Sequence, residues 1–419
     1  MATRFVNSLS ASQAKGPSSA EKRPRYGHCL LLTTLSRVSA VLMLAVLLIA
    51  VPAEACTTAI VSAEASASGR PMIWKQRDAN APFNTVAHLQ GEKYAYTALL
   101  PSQKAVKRAY AGINEVGFAI ANNLSYNLRP DSLGFDTNNG EMMARALGCC
   151  RTVDDFLALL DSTPAPRCVS ANFAVIDAFG GAAYIEASDT SYVRYDVPKG
   201  GYLFRTNYSL SGDEGRGKGF ARYATMEELM ARRAGKGLRP RRSFTPAFFM
   251  RTGRSFVNVL NGGDALCCKR GGYLYDHDFI PRSSTTSSVV IEGIGAGDCQ
   301  DAGVMWCAVG NTPCSYAIPV WLSAGEEIAP PVCGDAPASR LATDLRKSLS
   351  TLDWPGYSKY LDVKALRRVL KAVRKAERRE LKLGRRLEKR LRSAFDAAAV
   401  AEYNAGAAAR FEEFKNSVL

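Results

Sequence analysis

CTTAIV at residues 56–61 is followed, across a stretch of small and polar residues, by GRPMIWKQRD at residues 69–78. The first run is rich in β-branched side chains, and the residues between the two runs are of the types found in turns. The pattern predicts two successive β-strands, at Thr57–Ser62 and Pro71–Lys75. Cys56 stands immediately before the first strand, so its thiol is expected at a strand end.

The residues ahead of Cys56 have the composition of a secretory signal. A polar, basic stretch precedes an apolar run at residues 39–51, and Ala53 and Ala55 supply the small side chains of a cleavage site. The apolar run is shorter than the roughly 18–20 residues that span a bilayer. We therefore expect residues 1–55 to be a signal peptide or pro-segment whose removal leaves Cys56 as the first residue. A retained membrane anchor is the alternative.

A free N-terminal cysteine carries a nucleophile and a base on one residue. The α-amine has a pKa of about 7.7–8.0 and the thiol one of about 8.5, so the amine can take the thiol proton near neutral pH. The sulfur then attacks a carbonyl without any histidine. The uncut chain lacks this amine and is expected to be inactive. Lipid attachment at Cys56 is an alternative that the charge of Glu54 disfavours.

The scarcity of histidine and the cysteine spacing argue against other site types. The chain has three histidines, at positions 28, 88 and 277, and eleven cysteines without a C-x-x-C pair. We therefore expect neither a metal site nor a histidine-dependent triad, and the cysteine chemistry needs no cofactor. Disulfide connectivity stays open, although the neighbours Cys149–Cys150 and Cys267–Cys268 are poor partners for each other.

The rest of the chain alternates groups of short strands with helices. The further predicted elements are strands at 85–90, 94–100, 108–113, 117–122, 169–176, 182–187, 192–196, 202–205, 287–292 and 304–309 and helices at 140–147, 153–160 and 222–233. This order is typical of an α+β layered domain. With 419 residues, 47% of them hydrophobic, the chain can bury a sizeable core.

Several motifs in order resemble the choloylglycine hydrolase-like group of N-terminal-nucleophile hydrolases. This group includes bile-salt hydrolases, penicillin V acylases, acid-ceramidase-like amidases and acyltransferases of the isopenicillin N type. The resemblance covers about residues 56–321. Its motifs are the opening pair of strands and then GINEVGF at 112–118, NFAVID at 172–177, RTNY at 205–208, TSSVV at 286–290 and WCAVG at 306–310.

The resemblance implies a four-layer αββα sandwich at residues 56–335, with Cys56 at a strand end between two sheets. It also implies roles for individual residues. Asp78 is expected to bind and orient the α-amine, Asn207 to donate a hydrogen bond to the oxyanion, and Arg222 to support the site. A carboxylate at Asp78 would also tune the pKa of the amine.

Two roles stay open between neighbouring residues. The family commonly has an arginine three residues before the aspartate, where this chain has Lys75. Arg77, next to Asp78, is the alternative cation that would lower the pKa of the thiol. A second oxyanion donor is expected from Asn122 or Asn123, which both end a predicted strand, and Asn123 is preferred.

The C-terminal segment is strongly basic. Residues 340–392 contain 18 lysines and arginines against 6 acidic residues, whereas the whole chain has a net charge of +15. Apolar residues recur there at helical spacing, namely Leu366, Leu370, Val373, Leu387 and Leu391. We therefore predict a long amphipathic helix in a basic extension at residues 336–419. The helix is either a solvated element packed by one stripe or a patch for an anionic surface, and no motif indicates a specific nucleic-acid partner.

Together these features predict an exported hydrolase, periplasmic or extracellular, that cleaves linear amide C–N bonds of small N-acyl substrates through a thioester. An acyltransferase or a dipeptidase on the same fold is an alternative. A further alternative is a non-enzymatic, membrane-attached protein that presents the basic helix. Acyl specificity, membrane association and oligomeric state stay open.

Overall fold

The computed structural model describes residues 55–102, 108–128, 137–235, 243–268, 271–295, 298, 302–350 and 360–419. Ala53–Leu419 form one compact unit. The predicted signal segment, apart from Ala55, lies outside the described residues. No helix within the described ranges has both the length and the apolar character needed to cross a membrane.

Short strands supply most of the regular structure in the first three quarters of the chain. Many of them are buried on both faces, as expected for strands covered by a second layer on each side. The described strands are β1 Thr57–Val61, β2 Met72–Asp78, β3 Asn84–Gln90, β4 Ala95–Pro101, β5 Ala111–Asn114, β6 Ala119–Leu124, β7 Ala171–Ile176, β8 Ala182–Ala187, β9 Tyr192–Asp196, β10 Tyr202–Arg205, β11 Val257–Asn258, β12 Gly263–Asp264, β13 Tyr273–Tyr275, β14 Thr285–Glu292, β15 Val304–Val309, β16 Ile318–Trp321 and β17 Tyr360–Asp362.

The strands form two large antiparallel sheets. The first has the order β10–β1–β2–β14–β15–β16, and the second has the order β3–β4–β5–β6–β7–β8–β9. β1 and β2 contact β6 and β7, so the two sheets pack face to face. Fully buried Ile60, Ile113, Ala121 and Ile176 belong to one apolar cluster that spans both sheets.

Helices cover the outer face of each sheet. α1 packs on β4, β5 and β6 of the second sheet, whereas α4, α6 and α7 contact β14, β15 and β16 of the first. The helix–sheet–sheet–helix order confirms the predicted α+β sandwich. The described helices are α1 Asn139–Cys149, α2 Val153–Ser162, α3 Phe220–Gly235, α4 Pro246–Thr252, α5 Ala265–Cys268, α6 Pro337–Ser348, α7 Val363–Leu391 and α8 Ala397–Val418.

Local sequence signals explain where several helices begin. Thr152 caps α2 by accepting a hydrogen bond from the backbone N–H of Asp155 at 3.0 Å, and the Asp155 carboxylate accepts one from the N–H of Thr152 at 3.0 Å. Thr245 caps α4 by accepting a hydrogen bond from the backbone N–H of Phe248 at 3.1 Å, with Pro246 in the first turn. Asp362 caps α7 by accepting from the N–H of Ala365 at 2.7 Å.

The predicted long amphipathic helix is confirmed as α7, although it does not extend over the whole of residues 340–392. α6 ends at Ser348 and α7 begins at Val363. Pro355 and Gly356 lie between them in the sequence, and both residue types disfavour a continuous helix. The five apolar residues that carried the helical pattern all lie on α7 and are buried.

The charges of α7 are divided between two faces. Its three acidic residues, Glu377, Glu380 and Glu388, are buried, and each pairs with an arginine from elsewhere in the chain. All twelve of its exposed residues are lysines or arginines. The carboxylates therefore attach the helix to the body of the protein, while the outer face is uniformly cationic.

We expect Gly384→Ala to destabilise the protein. A Cβ at Gly384 would lie 2.8 Å from Trp306 and 2.9 Å from Pro319, where α7 crosses β15 and β16. Overpacking of this kind costs about 1–3 kcal/mol, which exceeds the gain of about 1 kcal/mol in helix propensity. Urea denaturation measures the difference. In the comparison variant Gly406→Ala the new methyl group meets Nη1 of Arg410, at the far end of a side chain, and the loss should be smaller than for Gly384→Ala.

Candidate active site

Cys56 immediately precedes β1, the second strand of the first sheet. The residue is buried, and its backbone N–H donates a hydrogen bond to Asn207 Oδ1 at 2.8 Å. Asn207 follows β10, the strand that pairs with β1 on the side opposite β2. The RTNY motif and the cysteine, 151 residues apart in sequence, are thus brought into direct contact.

Arg222, in the first turn of α3, connects these two residues. Its guanidinium donates to the carbonyl oxygen of Cys56, to Thr57 Oγ1 at 2.8 Å and to Asn207 Oδ1 at 2.8 Å. Burial, reinforced by the nearby positive charge of Arg282, lowers the pKa of Arg222 to about 9. The charged form of Arg222 is therefore stabilised when an anion forms nearby.

Asp78, the last residue of β2, is the acidic group of the site. Its Oδ1 accepts a hydrogen bond from Thr285 Oγ1 at 2.6 Å, and its Oδ2 lies 2.9 Å from Arg282 Nε. Burial raises the pKa of Asp78, while the charges of Arg282, Arg222 and Arg77 act in the opposite direction. Asp78 and Cys56 both act electrostatically on Arg222, but the described contacts of Asp78 are with Thr285 and Arg282, and the nitrogen of Cys56 is bound by Asn207.

The strand register separates the roles of the two candidate cations. β1 and β2 pair with Thr57 opposite Gln76. Extending this register by one residue places Cys56 opposite Arg77, and directly opposed residues share a face of the sheet. Lys75 lies two residues along on the same face, further from the cysteine. Arg77 is therefore the cation aligned with the nucleophile.

Lys75 instead contacts a residue of the other sheet. Its Nζ donates to Asn122 Oδ1 at 2.7 Å and to the carbonyl oxygen of Tyr110 at 2.9 Å. The guanidinium of Arg77 lies 3.6 Å from the centroid of the Tyr110 ring and donates to Thr286 Oγ1 at 2.8 Å. Tyr110 thus packs between the arginine next to Cys56 and the lysine bound to Asn122.

The two neighbouring asparagines at the end of β6 differ in their free hydrogen-bonding capacity. Asn123 is fully buried, accepts from Thr58 Oγ1 and donates to the carbonyl of Arg205 at 3.3 Å. The Oδ1 of Asn122 is held by Lys75, and its amide nitrogen has no partner among the described residues. Asn122 is therefore better placed than Asn123 to offer a donor, which reverses the preference drawn from the sequence.

Asn207 also differs from its expected role. Its Oδ1 accepts from both Cys56 and Arg222, and its Nδ2 donates to the carbonyl of Leu124 at 2.8 Å. An amide in this orientation presents its oxygen to the nitrogen of Cys56. Asn207 thus resembles an amine-positioning residue more than an oxyanion donor.

Sequence reasoning did not identify Arg282 and Thr285, which hold Asp78. Arg282 lies three residues before β14, and Thr285 is the first residue of that strand, next to the TSSVV motif. An arginine directly ahead of a motif strand was the available signal, but its contact with Asp78 spans more than 200 residues. No group of three or more histidine, cysteine, aspartate or glutamate side chains in the described ranges is arranged to hold a metal ion.

Residues 73–230 match the family model described as acyl-coenzyme A:6-aminopenicillanic acid acyl-transferase. The matched residues make up less than half of the chain. The match begins beyond Cys56, so it does not include the candidate nucleophile. No curated protein sequence matches the chain closely enough to count as a relative.

Similar solved structures include the following three proteins. The Caenorhabditis elegans ortholog of N-acylethanolamine-hydrolyzing acid amidase has 13% identity and a TM-score of 0.36, covering 57% of this chain and 92% of its own. The C2A mutant of conjugated bile acid hydrolase from Clostridium perfringens has 11% identity and a TM-score of 0.38, and the match covers 64% of this chain and 92% of that one. Penicillin V acylase from Agrobacterium tumefaciens has 14% identity and a TM-score of 0.39, and the match covers 64% of this chain and 86% of that one.

Proposed function

We propose that removal of residues 1–55 converts this chain into a cysteine amidase with Cys56 as nucleophile and the α-amine of Cys56 as base. The observation that carries the proposal is the contact between the Cys56 nitrogen, Asn207 and Arg222 at the start of β1. These groups bind the nitrogen and the carbonyl of the same residue, which fixes its backbone. A fixed backbone at Cys56 is what a reaction that uses the nitrogen of Cys56 as its base requires.

The charge around Asp78 supports an anionic intermediate. Arg77, Arg222 and Arg282 all act on this carboxylate, so positive charge is in excess among these four residues. Excess positive charge in a buried site favours a thiolate over a thiol and stabilises an oxyanion. Burial of the arginines makes these interactions stronger than they would be in water.

The proposed reaction needs only groups of the chain and a water molecule. The α-amine takes the thiol proton, the sulfur attacks the amide carbonyl, and the oxyanion is held by Asn122 Nδ2 and a backbone N–H. The amine that leaves is protonated, and water then cleaves the thioester. An amine acceptor in place of water would give acyl transfer at the same site. Acyl transfer is the second candidate function because the matched family model describes an acyl-transferase.

The structure of the uncut chain fits an inactive precursor. Ala55 and Cys56 are 5% and 6% exposed, so the peptide bond before the cysteine occupies space within the site. A peptide nitrogen cannot act as the base. We therefore expect cleavage before Cys56 both to create the amine and to open access to the thiol.

Mass mapping of the exported protein and iodoacetamide labelling test the proposal. We expect the secreted chain to begin at Cys56, with this thiol alkylated faster than the exposed Cys267. A variant whose cleavage is blocked by Ala55→Pro supplies the control, because Cys267 should react equally in both forms while Cys56 should not react in the uncut form. A secreted chain that retains residues before Cys56, or one that carries lipid there, would contradict the proposal.

Asn122→Ala should lower kcat by about 10²-fold with little change in KM, because an oxyanion donor acts mainly in the transition state. The measurement is steady-state kinetics on the best substrate of an N-acyl p-nitroanilide panel. Lys75→Met should lower kcat less, and Lys75→Arg should restore part of it, since the lysine only positions the amide. Asn123→Ala should instead reduce stability through the loss of its contacts with Thr58 and Arg205. Normal turnover by Asn122→Ala would assign the donor elsewhere.

A further inference from the structure

A groove of about 400 Å³ lies between α7 and α8, on the outer side of the first sheet. Its inner surface is apolar and is formed by Ala372 and Ala376 of α7, Phe414 of α8 and Tyr316. The rings of Tyr316 and Phe414 pack edge to face with centroids 4.9 Å apart. The groove therefore has a firm apolar floor of the size that holds a small ligand.

The rim of the groove carries uncompensated positive charge. Arg368, Lys371 and Lys375 lie on one face of α7 and are exposed, and no carboxylate in the described ranges pairs with any of them. The two carboxylates of the groove, Glu380 and Glu413, are already paired with arginines. The C-terminal end of α8 adds a partial negative charge of about one half, which three full positive charges exceed.

We infer that this groove binds an amphiphilic carboxylate, with an acyl chain on the apolar floor and the carboxylate among Arg368, Lys371 and Lys375. Inorganic phosphate would match the rim but leave the floor exposed, and an uncharged chain would cover the floor without using the cations. The lining runs from Arg368 to Arg379, about 16 Å along the helix axis, which suits a chain of moderate length.

The groove is separate from the candidate active site. It borders β16 through the adjoining Tyr316, whereas Cys56 precedes β1, and four strand spacings of about 4.8 Å each separate β1 from β16 in the sheet. The inference therefore does not depend on the proposed amidase activity. Substitutions in the groove or in the candidate active site can therefore show at which of the two sites a ligand binds.

Calorimetric titration of the full mature chain with octanoate and decanoate, below their micelle concentrations, tests the inference. We expect decanoate to bind roughly tenfold or more tightly than octanoate, since each added methylene gains several-fold in affinity while it is buried. Lys371→Gln combined with Lys375→Gln should weaken decanoate binding about tenfold and leave binding of 1-decanol within twofold. Ala376→Trp, which fills the floor, should abolish binding of both, with the melting temperature serving as the check on folding.

The matched control is Lys382→Gln combined with Lys389→Gln, on the same helix but outside the groove. This pair removes the same charge and should leave decanoate binding unchanged. Equal weakening by both pairs would mean that only the overall charge matters, and it would overturn the inference. Three other results would also overturn it: phosphate binding as tightly as decanoate, decanoate binding retained in Ala376→Trp, or binding of vesicles containing phosphatidylglycerol without binding of monomeric decanoate.

Discussion

Replacing Cys56 with alanine is expected to reduce amide hydrolysis by about 10⁴- to 10⁶-fold, to the level left when a covalent nucleophile is removed. Asn207 would still position the α-amine and Arg222 would still supply positive charge to the site, but no thioester could form. Steady-state assays and trapping of the acyl-enzyme by mass spectrometry measure both effects. The melting temperature should change little because a small side chain is replaced by one slightly smaller.

A second variant separates the role of the sulfur from the role of the amine. A chain expressed with a protease-cleavable tag that ends immediately before Cys56 keeps the thiol but holds its nitrogen in a peptide bond. We expect this chain to be inactive until the protease cuts, and active afterwards. Cys267→Ala, which removes an exposed thiol far from the site in sequence, should have no effect on either form.

The assignments of nucleophile and base can each be refuted. Substantial turnover by Cys56→Ala would place the covalent chemistry elsewhere or dispense with it. Full activity of the tagged chain before cutting would show that a free α-amine is not the base. Activity in a chain with both changes would leave only a histidine-dependent or non-covalent mechanism.

The sequence predicted the central strands well because their signal is local. β15 is a continuous apolar run and β14 is rich in β-branched residues, and the predicted ranges 287–292 and 304–309 agree closely with the observed ones. The helix predicted at 222–233 is α3, extended by two residues at each end. In contrast, the prediction did not include α8, because its many alanines give almost no contrast between its faces.

The site was predictable as a set of residues but not as a geometry. Cys56, Asp78, Asn207 and Arg222 came from motifs. The structure brings Cys56, Asn207 and Arg222 into contact, and Asp78 acts electrostatically on Arg222. The choice between Lys75 and Arg77 could not be made from sequence, since alternation places both on the same face of β2. It required the register between β1 and β2, which depends on pairing between strands and not on either strand alone.

The orientation of α7 was hidden from the sequence for a related reason. Glu377, Glu380 and Glu388 fall on the buried stripe, where the hydrophobic pattern alone would not place charges. Their partners are Arg254, Arg410 and Arg70, which lie 123, 30 and 318 residues away in the chain. Only the fold shows that these carboxylates are neutralised, and therefore that the exposed face is purely cationic.

Glu377→Ala is expected to lower the free energy of unfolding by about 3–5 kcal/mol, because it leaves the charge of Arg254 buried without its partner. The pair is bidentate, with both N–O distances at 2.6 Å and the two side chains 3% and 6% exposed. Urea denaturation of the mature protein measures the loss. Amidase kcat below the unfolding temperature should stay within about twofold, since the pair does not contact the cluster around Cys56.

An exposed ion pair between α7 and α8 supplies the comparison. Glu413→Ala breaks the pair with Arg379, whose side chains are 62% and 54% exposed, and should cost less than about 1 kcal/mol. Replacing both members of the buried pair, Arg254→Met with Glu377→Leu, should recover only part of the loss. The reason is that Arg254 also donates to the carbonyl oxygens of Met250, Thr312 and Ser315, which would then lack a donor. Equal costs for Glu377→Ala and Glu413→Ala would show that burial of the carboxylate does not control attachment of α7.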